Sequence, residues 1–103
     1  MNHMARVVWT PRARLRLARH LRTIRENAGA TVAADWSNRL LHAPDALARH
    51  PKLGRMVPEV GREDIRELTV PPYRILYRLR EGTCLILTVR HARQLLTPGN
   101  FAR

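Results

Sequence analysis

Arginine recurs through three short β-type runs, residues 65–70, 73–80 and 84–90, and His91 and Arg93 follow the last of them. Successive side chains on a strand point to opposite faces. Arg74, Arg78 and Arg80 therefore share a face with Leu76, opposite Tyr73, Ile75, Tyr77 and Leu79. In the preceding run Arg66 goes with Leu68 and Val70, opposite Ile65, Glu67 and Thr69. If Arg66 and Arg74 meet on one face across the Pro71-Pro72 turn, two guanidinium groups converge on a rigid support. Such a pair suits an anion supplied from outside, phosphate or carboxylate. The alternative is internal pairing with Glu59, Glu63, Asp64 or Glu67. His91 carries an imidazole that could move a proton, or it could hydrogen-bond the turn that ends its strand.

These runs need elements to hold them. Residues 5–9 form a β-branched and aromatic strand that stops at Thr10-Pro11, where proline opens a helix but cannot continue a paired strand. From 11 to 28, Leu17, Leu21, Ile24 and Ala28 recur at helical spacing, while Arg12, Arg14, Arg16, Arg19, Arg22 and Arg25 fall mainly elsewhere on the wheel. Asn27 and Gly29 supply a stop and Thr31 a cap for a second helix, whose stripe is Ala33, Trp36, Leu40, Ala43 and Leu47. Pro44 should kink or split that helix near His42. After residues 51–55, an irregular stretch through Gly61, with Pro58 and Glu59, reads as a loop leading to three antiparallel strands. The order is β-α-α-β-β-β, an α+β fold with an N-terminal strand and a helical hairpin packed on a small, mainly antiparallel sheet. Trp9 and Trp36 are expected at the helix–sheet interface, and Tyr73 and Tyr77 in the core. A single domain is expected over 5–97, with tails at 1–4 and 98–103.

Composition narrows the function. The 103 residues suit one core, and a hydrophobic share of 45% argues for a folded chain. Nineteen Lys+Arg against 8 Asp+Glu give +11, and Lys52 is the only lysine. Arginine keeps its charge when partly buried and presents a fork matched to carboxylate and phosphate, so the partner should be an acidic protein or a nucleic acid. Cys84, the single cysteine, rules out an internal disulfide and suits a reducing compartment. His20, His42 and His50 have no second ligand at metal spacing. No metal or cofactor is expected, no run is long enough for a membrane helix, and a cytoplasmic location follows.

Four segments in order resemble a known family. They are Leu47-Ala-Arg-His-Pro-Lys-Leu-Gly-Arg55, Ile65-Arg-Glu-Leu68, Tyr73-Arg-Ile-Leu-Tyr-Arg78 and Val89-Arg-His-Ala-Arg93, with Val8-Trp-Thr-Pro11 and Ala13 in front. Together they look like the ParE/RelE toxins of type II toxin-antitoxin systems, over residues 7 to about 96. The resemblance implies a growth-inhibiting toxin held inactive in a hetero-oligomer by a cognate acidic antitoxin that wraps over the two-helix surface and the sheet groove. It makes Arg14, Arg22, Arg55, Arg66, Arg74 and Arg78 candidates for antitoxin or target binding.

Two activities divide the superfamily. RelE-like members cleave messenger RNA on the ribosome, which needs a base, a cation and an acid around one phosphate. In that reading Arg66, Arg74, His91 and Arg93 are the catalytic group. ParE-like members poison DNA gyrase. Leu68 stands where RelE-like nucleases often carry a second basic residue, and no tyrosine follows His91, so the resemblance favours the gyrase branch. A third reading, a plain nucleic-acid binder, lacks helix-turn-helix spacing and a stacking surface.

Overall fold

The structure, a computed structural model, describes residues 4–93. Strand β1 (Arg6–Trp9) passes into α1 (Pro11–Ala28) through Thr10, the N-cap. Its Oγ1 accepts the Ala13 N–H at 3.1 Å and donates to the Ile86 carbonyl at 2.7 Å, so one hydroxyl caps the helix and ties it to the sheet. Gly29, at φ 95°, ends α1 and serves as N-cap of α2 (Ala30–His42). Thr31 therefore lies inside α2 rather than capping it, because one left-handed glycine reverses the chain and leaves no residues for a separate cap. At Pro44 the α-helix gives way to a 3-10 helix, Ala43–Ala48, where proline lacks an N–H to continue the ladder.

The remaining strands are β2 (Arg55–Met56), β3 (Ile65–Val70), β4 (Tyr73–Arg80) and β5 (Thr83–His91). Their order in the sheet is β1-β5-β4-β3-β2, with β1 parallel to β5 and every other pair antiparallel. β2 falls at the start of the stretch expected to be a loop. Two residues carry no periodicity that a sequence could reveal.

One sheet face packs on the helices through Leu17, Leu40, Leu47, Tyr73, Ile75, Tyr77, Ile86 and Val89, with Trp9 and Trp36 half-buried against them. The other buries Val57, Ile65, Leu76, Leu85 and Leu87. Full burial of such side chains contributes roughly 1.5–3 kcal/mol each. Because both faces are covered, Cys84 to Val89 is buried without alternation, as in a strand enclosed on both sides. Thr88 is the polar exception: its Oγ1 is buried with no hydrogen-bond partner among the described residues. Thr88→Val keeps the shape and removes the unsatisfied hydroxyl, so it should raise stability by about 1 kcal/mol in urea unfolding. A loss of stability would mean that the hydroxyl is satisfied after all.

Candidate functional site

The register decides which cations can cooperate. Arg66 pairs with Tyr77 across β3–β4, and Arg74 pairs with Thr69. Arg66 therefore shares the helix-facing side with Tyr77 and Ile75, and Arg74 shares the opposite side with Glu67, Leu76 and Arg78. The two arginines expected to converge are on opposite faces, since the Pro71-Pro72 turn sets residues of unlike parity opposite each other.

Each is held internally. Arg66 donates from Nη1 to the Gly54 carbonyl at 2.8 Å and from Nε to the Glu63 carbonyl at 3.0 Å. Arg74 donates from Nε to Glu67 Oε2 at 2.6 Å and reaches Glu59 from Nη1 at 3.3 Å. Glu67, whose side chain is 0% exposed, also accepts from Arg55 Nε at 2.7 Å. Arg78 Nε lies 3.3 Å from Asp64. Burial works against the Arg74 charge, but the hydrogen bonds to Glu59 and Glu67 outweigh it and its pKa is raised. The bond to Arg74 lowers that of Glu59 in turn. Of the two readings left open for Arg66 and Arg74, the structure shows internal ion pairing for Arg74 and carbonyl contacts for Arg66, and Arg55 and Arg78 are likewise paired. The sequence offers Glu59 among four possible partners, and only the folded loop brings it, with Glu67, to Arg74.

Leu68 is half-buried against the helix-side core, which accounts for an apolar residue at that position. His91 stands opposite Tyr73, ring centroids 5.5 Å apart, and its Nδ1 accepts the Arg93 N–H at 3.1 Å. That bond places the proton of a neutral ring on Nε2 and closes the turn after β5. Arg66 and His91 lie on one face but two strands apart and four residues out of register along β4. That is about 10 Å across the sheet and about 13 Å along it, too far to serve one phosphate. Arg93 is exposed at the edge of the described residues.

Tyr73 also meets His20 and Trp36, each at 5.2 Å edge-to-face. His20 Nε2 lies 2.8 Å from the Val89 carbonyl, fastening α1 to β5. Burial lowers the His20 pKa, the Val89 bond resists, and the charges of His91, Arg90 and Arg16 lower it further. The unfolded chain then binds more protons than the fold below about pH 6.5, so stability falls as pH drops through that value and levels off below the folded pKa. Melting between pH 7.5 and 5 should show this decline, and His20→Asn should flatten it. An unchanged slope would assign the decline elsewhere.

The helical hairpin carries the other half of the site. Between α1 and α2 run two adjoining hollows of about 600 and 380 Å³, sharing Ala18, Leu21 and Ser37. Their floor is alanine and leucine. Arg14, Arg22 and Arg25 stand on the rim, so Arg14 and Arg22, two of the expected binding residues, flank one groove. Sequence spacing had set these arginines off the core stripe but could not show that α2 leaves an apolar trough beside them.

A helical hairpin over a five-stranded sheet with a parallel N-terminal edge strand, and basic groups on both sides, is the architecture expected of the ParE/RelE class of toxins. The solved chain titled "Chromosomal ParDE TA system from P. aeruginosa" has this fold, with a TM-score of 0.74 at 20% identity over 86% of this chain and 97% of that one. The family model described as ParE toxin of type II toxin-antitoxin system, parDE, matches residues 7–96, and the chain belongs to that family. Two curated relatives come from Caulobacter vibrioides. Toxin RelE2 is 40% identical over 95 residues, 89% of this chain and 100% of its own length. Toxin ParE3 is 33% identical over 93 residues, 90% and 92% of the two chains.

Proposed function

We propose that this ParE-family toxin arrests growth by poisoning DNA gyrase and is silenced by an acidic antitoxin segment. One observation carries the choice of target: Arg74 is engaged by Glu67 and Glu59, while Arg66 and His91 lie far apart on the other face. Among the described residues a base, a cation and an acid are therefore not gathered around a position that one RNA phosphate could take. The antitoxin reading draws on the groove between α1 and α2. Its apolar floor suits the leucines of an amphipathic helix, and the Arg14, Arg22 and Arg25 rim suits the acids flanking them.

The deciding experiment adds purified toxin to gyrase, relaxed plasmid and ATP. Supercoiling should stop and cleaved DNA accumulate, and stoichiometric antitoxin should reverse both. Normal supercoiling together with codon-dependent messenger cleavage in a translating extract would establish the ribosomal activity instead, the alternative that the name RelE2 of the 40% identical relative keeps in view.

A further inference from the structure

The groove uses only one flank of α1. At about 100° per residue, Arg14, Arg22 and Arg25 stand beside Ala18 on the flank toward α2, while Arg12, Arg16 and Arg19 stand on the flank turned away from it. β1 covers the edge of β5 only as far as Ile86. Beyond that point α1 itself runs along β5, as the His20–Val89 bond shows. This brings Arg12 and Arg16 within electrostatic reach of Arg90, which is directly opposite Arg74 in the register. Burial lowers the Arg90 pKa, and the like charges of Arg16, Arg12 and Arg74 lower it further, so the local potential is positive.

Three of the acids gather around β3, while Glu26 stands on α1 two turns beyond Arg19. Glu59, Asp64 and Glu67 are drawn into pairs with Arg55, Arg62, Arg74 and Arg78 around β3, and among the described residues neither Arg16 nor Arg19 takes part in an ion pair. Cations set one helical turn apart, about 6 Å, on a rigid helix match a rigid partner that repeats its charge at short intervals. The groove with its apolar floor lies on the other flank, beside Arg14, Arg22 and Arg25, and an amphipathic protein segment gains most there. Among the described residues no tryptophan or tyrosine is exposed beside them to stack single-stranded bases.

We infer that the flank of α1 bearing Arg12, Arg16 and Arg19, with Arg90 at the end of β5, binds the phosphodiester backbone of duplex DNA, independently of the groove between the helices. The contact is to phosphates alone, without base readout. It extends beyond the gyrase reading and does not require it, because the binding is measured without gyrase.

The test is anisotropy titration of a labelled 20-base-pair DNA duplex with the whole chain across a salt series. Arg12→Gln/Arg16→Gln should weaken binding by at least about tenfold at 100 mM KCl and flatten the log–log salt slope by about 2. Arg14→Gln/Arg22→Gln removes the same charge from the other flank and should change affinity by less than about twofold. Arg12→Lys/Arg16→Lys should retain most of the binding. If the first variant fails to fold, Arg16→Gln/Arg19→Gln replaces it with the same expectation. Equal losses from both flanks would reduce the effect to net charge and overturn the proposal. So would wild-type protein that does not bind the duplex at low salt, or poly-glutamate or single-stranded RNA bound as tightly through the same arginines.

Discussion

Glu67→Ala should cost about 3–5 kcal/mol, because it leaves Arg74 partly buried without its principal counter-charge. The Glu67 side chain is 0% exposed and that of Arg74 13%, whereas Arg55 on the same carboxylate is 65% exposed. The two arginines therefore respond differently to truncation. Arg55→Ala breaks a contact well screened by water and should cost less than about 1 kcal/mol, while Arg74→Ala strands a buried carboxylate and should approach the Glu67→Ala loss. Against a total stability of roughly 5–15 kcal/mol for a domain of this kind, the larger losses threaten folding itself. Urea midpoints at constant m-value measure all three. A Glu67→Ala loss below about 1 kcal/mol would show that the carboxylate is dispensable to the fold. Growth assays on Arg74 variants must accordingly be read beside a measure of folded protein.

Gly54→Ala should be comparably damaging for a steric reason. A Cβ there would stand 2.6 Å from the Glu67 carbonyl oxygen and from Tyr77 Cε1, and 2.7 Å from the Tyr77 hydroxyl. Neither obstacle can give way, one being β3 backbone and the other a fully buried ring. A loss of about 3 kcal/mol is expected from the overpacking, with the Gly54 N–H bond displaced as well. Tyr77 receives that N–H at 2.8 Å and donates to the Pro51 carbonyl at 2.8 Å, so Tyr77→Phe should cost about 1–3 kcal/mol by releasing the same segment. Because both changes act on one contact, the double variant should be clearly less damaging than the sum of the singles. Full additivity would mean that the two residues secure residues 51–54 independently.

Much of this architecture was legible in local chemistry. Thr10-Pro11, the spacing of Leu17, Leu21 and Ile24, and Pro44 each mark a boundary or a face through a rule acting within a few residues. Alternation in β3 and β4 assigned every side chain to a side of its own strand. Alternation could not say which sides of two strands coincide, because that depends on the parity of the connecting turn, and Arg66 and Arg74 are separated for that reason. Likewise Glu67 occupies an unremarkable place in its run, and its burial exists only once β2 and β4 close on either side. The candidate site was thus legible as a set of residue types and hidden as a constellation. Its decisive contacts join residues remote in sequence, such as Arg74 to Glu59 and Tyr77 to Pro51.

Around β3 the charges of Glu59, Asp64 and Glu67 are offset by arginines, while Arg12 to Arg25 along α1 share that helix with one acid, Glu26, so the molecule is electrically lopsided as well as basic. A body polarised in this way is turned by the field of a negatively charged neighbour before contact, with α1 leading. Its encounters with acidic surfaces begin already oriented, so added salt should slow its association more steeply than it speeds its release.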